Sequence, residues 1–408
     1  MEYKFIENGT VTTPEGFTAA GVCGSVKPSN TTKRDIMMIA CDTVCTAAGV
    51  FTKNLVKSSA VIMTKKNIEN GTAQAVIANS GNANTCNADG MEKAERMCEL
   101  AAENLDIDKG DVIVASTGVI GQVLPIEPFE RAVPEISAIM SKEGGTDAAE
   151  AIMTTDTVKK EAAVEVEIGG KKVTIGAIAK GSGMIHINMG TMLSFVTTDA
   201  AISSEMLRSA LSEAVEVSYN MVSVDGDTST NDTLVILASG HAGNEEITTR
   251  SAEYRAFTDA LTALCKKMAK MLAGDGEGAT KLMICHVSGA KTTADAKGAA
   301  KAVICSSLVK AAIFGSDANW GRVLCALGYS GCDIDIAKVD VTFVSNAGEI
   351  LVCKDGAGVE FSEETAKEIL LEKEITIAVE LNDGEGSAEA YGCDLTYDYV
   401  RINGDYRT

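Results

Sequence analysis

Apolar residues along this chain fall into short runs of two periodicities, and their alternation predicts a mixed architecture. Residues 75–79 (AVIAN) form an apolar run of strand length, and apolar positions at helical spacing follow over 91–105. Residues 111–115 (DVIVA) predict another strand, and 126–142 and 146–153 predict helices. The stretches 164–168 (VEVEI) and 172–180 (KVTIGAIAK) predict paired strands joined by a Gly169-Gly170 turn. In the second half the spacing predicts helices near 203–219 and 250–273, the first opening on Ser203-Ser204-Glu205 as a cap. Strands are expected at 233–238 and 281–287, an Ala-rich helix at 294–314, and strands again at 338–344, 349–354, 374–381 and 388–402. Both halves mix hairpins with helices, so the expected class is α+β layers rather than a regular βαβ winding.

Composition narrows the picture. A chain of 408 residues exceeds one small domain and predicts two or three compact units, or one large intertwined core. Aromatics are only 4% of a chain that is 46% hydrophobic, so aliphatic side chains must do the packing. The net charge of −21 repels nucleic acid and anionic lipid, and no basic block with interleaved aromatics offsets it. Neither a signal pattern at the N-terminus nor an apolar run of membrane-spanning length is present, so a cytoplasmic protein with no membrane partner is expected. The twelve cysteines contain no C-x-x-C pair, and Cys41 and Cys45 sit among core-like neighbours; free thiols and no metal site are expected.

The most unusual segment is 180–196, KGSGMIHINMGTMLSFV, in which Gly190-Thr191 stands directly before an apolar run. Glycine permits strained backbone at low steric cost. The Thr191 hydroxyl is then placed to attack the Gly190 carbonyl, giving an ester by N-to-O shift and then a cut chain. The new N-terminal amine, with an ordinary pKa of about 7.7–8.0, would serve as base for its own hydroxyl. A turn before a buried strand accounts for the same residues.

Other segments carry less. Ser116-Thr117-Gly118 follows a strand and suits an oxyanion hole, or a plain strand-to-helix turn. Residues 223–232 (SVDGDTSTND) lack the spacing of a calcium loop and read as a polar loop bonded to itself. Residues 274–281 (GDGEGATK) miss the phosphate-loop spacing, and Glu277 reads as an exposed carboxylate between glycines. Only His186, His241 and His286 exist, which favours a base other than histidine.

Taken in order, NSGNAN (79–84), STGVIG (116–121), IMTTDT (152–157), KGSGMIHINMGTML (180–193), SVDGDTSTND (223–232), GDGEGATK (274–281), NWGR (319–322) and YVRINGDYRT (399–408) resemble the ornithine acetyltransferase family, the bifunctional glutamate N-acetyltransferases of arginine biosynthesis. The resemblance spans the whole chain. It implies an αββα sandwich of the DmpA/ornithine-acetyltransferase type, similar in logic to N-terminal-nucleophile hydrolases. It also implies self-cleavage between Gly190 and Thr191 into an alpha chain, 1–190, and a beta chain, 191–408, assembled as α2β2.

By the same resemblance Thr191 is the nucleophile, Thr117 and Gly118 form the oxyanion hole, and Thr154, Lys180, Thr191, Glu277, Asn403 and Thr408 bind substrate. Acetyl would pass from N2-acetylornithine to glutamate through an acetyl-threonine ester, with no bound cofactor. Acetyl-CoA stays open as a co-substrate, and an aminopeptidase or amidase on the same scaffold is the alternative. Ile187, Ala318 and Lys159 stand where the family pattern has prolines, a loss of backbone stiffness but not of reacting groups.

Overall fold

The computed structural model describes residues 2–186 and 192–405. Of the positions singled out above, Ile187, Gly190, Thr191 and Thr408 lie outside the described residues.

The long strand Ile36–Phe51 organises the first half of the molecule. Its first part pairs with Phe17–Val22 and Thr72–Asn79, and its second with Thr233–Ala238. Between them, at Ala40 to Cys45, the register against Thr72–Asn79 shifts. One strand thus serves two layers. The first layer continues to Val112–Ser116; the second runs through Leu193–Thr198, Lys171–Lys180 and Lys160–Ile168 to Tyr3–Ile6.

Side-chain alternation decides what each face meets. Met37, Ile39, Val76, Ala78, Ile113 and Ala115 share one core with Ile178, Leu193, Phe195, Val235 and Leu237 of the other layer. The intervening Met38, Ile77, Val112 and Val114 turn outward against helices Ser59–Asn67, Gly90–Leu105 and Glu127–Ile139. On the opposite side Ile175, Ala177, Val196, Leu234 and Ile236 meet helices Ser204–Glu216 and Ala252–Gly274. The result is the αββα sandwich of the expected α+β class. The last core continues into a six-stranded sheet, in the order Ala357–Gly358, Gly348–Lys354, Asp340–Ser345, Glu374–Glu380, Leu282–Ala290, Gly386–Cys393. Among the described residues no helix is long and apolar enough to cross a membrane.

Most expected elements are present. The hairpin Lys160–Ile168 with Lys171–Lys180 turns on Gly169 and Gly170, both at positive φ (58° and 74°). Ser203 caps its helix by accepting from the Met206 N–H. Two expectations need correction. The Ala-rich stretch is two helices, Thr293–Cys305 and Ser307–Phe314, because the Ser306 side chain caps the second and breaks the first. The final strand stops at Cys393, and Tyr397–Asp405 is a helix. Two side chains tie its start to the 278–281 segment: Asp394 accepts from the Thr280 and Lys281 N–H groups, and the Thr396 hydroxyl donates to the Gly278 carbonyl.

Candidate active site

The ends of several strands meet around a cavity of about 240 Å³. Thr117, Gly118, Thr154, Lys180, Glu277 and Asn403, six of the positions expected at the site, all line it. Met192, the residue after Thr191, lines it too. They come from separate segments of the chain, so the fold itself brings them together.

Thr117 and Gly118 follow the strand Val112–Ser116. The Thr117 N–H is spent on the Asn79 carbonyl at 3.0 Å. Its hydroxyl and the Gly118 N–H meet no acceptor among the described residues, which leaves two donors for an oxygen in the cavity. Glycine is required at 118: φ is +132°, and a Cβ would lie 2.3 Å from the Gly81 carbonyl carbon. Asn231 locks this corner, donating to the Ala83 and Ser116 carbonyls at 2.6 and 2.7 Å and accepting from the Thr85 hydroxyl. The 223–232 segment is therefore not the self-contained polar loop expected. Asp225 also accepts from the Met184 and Ile185 N–H groups, fixing the turn after Lys180.

Lys180 ends its strand buried, with Nζ 2.8 Å from the Thr154 hydroxyl and 3.8 Å from Asp156. Burial pulls its ammonium below the usual lysine range, opposed by Asp156. Behind it Lys160, fully buried, bridges Asp156 at 2.7 Å and Asp275 at 2.6 Å. Burial alone would raise the Asp156 carboxyl, but Lys180 and Lys160 hold it well below the ordinary carboxylate range. Asp156 in turn accepts from the Gly181 N–H, so this charge network sets the backbone that leaves the strand.

Glu277 is buried, contrary to its expected exposure. The flanking glycines do not mark a surface loop: Gly278 lies against Asp398 and Tyr399 of the tail helix, and Glu277 lies against Gly183. The Glu277 N–H donates to the Ser182 carbonyl, and Asn403 donates to Glu277 Oε2 at 2.7 Å. Asp275 and Ser182 add a second tie between the same loops. The cavity thus has one wall of hydrogen-bond donors, one buried ammonium, Lys180, and two buried carboxyl groups, Glu277 and Asp232. Such a set can fix a zwitterionic substrate while an oxyanion forms.

Sequence reasoning missed Asn231, Asp232, Lys160 and Asp275. Each acts across about a hundred residues or more, or is a buried charge, and neither property shows in local pattern. The motifs 223–232, with Asn231 and Asp232, and 274–281, with Asp275, were the available signals. Of the residues in family motifs, Asn319 lies away from the cavity and caps the helix Trp320–Gly328. His186 bonds Ser223 at 3.1 Å and does not line the cavity.

The ArgJ family model matches residues 18–408. The arginine biosynthesis bifunctional protein ArgJ of Symbiobacterium thermophilum is 54% identical over 401 residues, covering 98% of this chain and 99% of its own. The ArgJ 1 protein of Clostridium acetobutylicum is 50% identical over 406 residues, 99% of each chain. The crystal structure of ArgJ from Bacillus halodurans is similar at a TM-score of 0.50 and 46% identity, covering 52% of this chain and 98% of the solved one.

Proposed function

The chain belongs to the ArgJ family, and on that premise we propose that it is an acetyltransferase of arginine biosynthesis that moves acetyl from N2-acetylornithine to glutamate. The observation that carries this reading is the convergence of Thr117, Gly118, Lys180, Glu277 and Asn403 on one cavity beside Met192.

The chemistry begins with the chain itself. Thr191 Oγ attacks the Gly190 carbonyl, the amide nitrogen leaves to become a free amine, and water hydrolyses the ester. Fragments 1–190 and 191–408 result. They stay joined, because Leu193–Thr198 lies between Lys171–Lys180 of the first and Thr233–Ala238 of the second. A solved relative that is matched over 98% of its length spans 52% of this chain, which supports a division of this size.

In transfer, the Thr191 amine takes the proton from Oγ as Oγ attacks the acetyl carbonyl. The Thr117 hydroxyl and Gly118 N–H hold the oxyanion. The intermediate collapses, the ornithine amine leaves with that proton, and the acetyl-threonine ester remains. The glutamate amine then attacks the ester and gives up a proton through the Thr191 amine to Oγ, which leaves, so that N-acetylglutamate and free Thr191 result. Lys180 with Thr154 receives the α-carboxylate, and Glu277, held by Asn403, receives the side-chain ammonium of ornithine; Thr408 completes the set at the chain end.

The word "bifunctional" in the relatives' names supports acetyl-CoA as a second donor. The reading includes a cytoplasmic α2β2 assembly. High identity over whole chains that carry the arginine-biosynthesis name favours transfer over the amidase alternative. The test is an exchange assay with N2-acetylornithine and glutamate, run beside a denaturing gel. Wild-type protein should give acetylglutamate and two bands, and Thr191→Ala one band and no product. Acetate release without acetylglutamate would establish the amidase instead.

A further inference from the structure

We propose that Asp232 is the residue that positions the Thr191 amine once the chain is cut, the carboxyl and the amine sharing one proton. This rests on the self-cleavage reading above and deepens it.

Asp232 is 2% exposed and lines the cavity, yet neither Oδ1 nor Oδ2 has a hydrogen-bond partner among the described residues. A buried carboxyl without donors is costly, and such groups are nearly always satisfied in native proteins. Burial pushes Asp232 well above the ordinary carboxylate range, with Thr52, the Met192 N–H, Ser229 and Lys180 acting against it. Two neighbours that could donate are engaged elsewhere. The Thr52 hydroxyl already donates to the Ser229 carbonyl at 2.8 Å. Lys180 is bonded to Thr154 and faces Asp156. The remaining charged group on the cavity wall is Glu277, of the wrong sign.

The backbone says where the missing partner comes from. Thr233 and Leu193 are paired in parallel strands, and the Thr233 N–H donates to the Met192 carbonyl at 3.0 Å. Asp232 therefore stands beside Met192, one bond from Thr191. In the uncut chain the nitrogen of Thr191 is an amide and carries no charge. Cleavage makes it an amine that binds a proton, at the one wall where a carboxyl lacks a partner. Asp232 then holds the amine in place with a lone pair turned to Oγ, and it acts through the amine without touching the substrate.

The test substitutes Asp232→Asn in two backgrounds, Thr191→Ala (uncut) and wild type. In the uncut background D232N should melt at the same or a higher temperature, since it removes an unpartnered buried acid. In cut protein it should melt lower. A carboxylate beside an amine raises the amine's pKa, so its loss should move the acid limb of kcat/KM for N2-acetylornithine to lower pH by about one unit, with the plateau down roughly tenfold. A D232N chain that melts with the Thr191→Ala protein but fails to cut would place Asp232 in the cleavage step, before any amine exists, and overturns the role. Equal destabilisation in both backgrounds, or an acid limb that does not move, overturns it. Wild-type cleavage is scored separately, so failure of the underlying reading is told apart from failure of this proposal.

Discussion

Asn403 donates from Nδ2 to Glu277 Oε2 at 2.7 Å across 126 positions of sequence. The acid proposed to hold a substrate ammonium is thus itself held by the tail helix. Removing the amide leaves Glu277 in place but free to turn. Asn403→Ala should raise KM for N2-acetylornithine about tenfold, the worth of a hydrogen bond to a charged group. The melting temperature should change little, since Asn403 sits on an exposed helical position. A steady-state comparison with N403A checks this, and an unchanged KM would remove Glu277 from the ammonium role.

Gly183 makes room for the same acid. A Cβ there would lie 2.3 Å from Glu277 Oε2 and 2.4 Å from its Cδ. Gly183→Ala should therefore displace Glu277 and lower kcat/KM while the chain still folds. Glu277→Ala removes the clash along with the acid. The double variant should be no worse than E277A alone, a non-additivity that a double-mutant cycle reads directly.

Thr117 offers its hydroxyl because its N–H is already committed to Asn79. Thr117→Ala should lower kcat in the exchange assay by about 10²–10³, the usual effect of losing one oxyanion donor. Thr117→Ser should retain most of the activity. A T117A enzyme within about twofold of wild type would mean that the donor lies elsewhere.

These positions differ in how far the sequence disclosed them. The strands at 75–79, 111–115 and 233–238 were legible because unbroken apolar runs of that length are buried on both faces, and the 164–180 hairpin because two glycines mark its turn. The strand Ile36–Phe51 was not, because its small and polar middle, Cys41–Asp42–Thr43, marks the shift from one layer to the other rather than an end. The tail beyond Cys393 alternates like a strand, but Asp394 and Thr396 bond back to the 278–281 segment and start a helix. At the site, Thr117 and Gly118 were legible as an oxyanion-hole candidate in the turn after a strand, whereas Lys180, Glu277 and Asn403 took their roles from family resemblance; nothing local to any of them signals a shared cavity. Lys160 and Asp275, 115 positions apart, meet only in three dimensions.

That buried pair predicts a stability effect separate from catalysis. Lys160→Met leaves Asp156 and Asp275 without their common counter-ion and should cost about 3–5 kcal/mol, as breaking a buried ion pair typically does. Urea denaturation measures it, and a loss below about 1 kcal/mol would show the network to be solvated.

The same network sets a pH dependence. The folded pKa of Asp156 lies below its unfolded value, so the stability it contributes is present above about pH 4 and is lost as pH falls toward the folded pKa. Denaturation curves at falling pH should show declining stability in wild type and a flatter profile in Asp156→Asn. Parallel profiles would assign the acid sensitivity to other carboxylates.

In the proposed function everything catalytic depends on Thr191 becoming an N-terminus, and the most direct measurement is the intact mass and N-terminal sequence of purified, active protein. Two chains should be found, one ending at Gly190 and the other beginning with Thr191. A single uncut chain that transfers acetyl at the full rate would contradict the account.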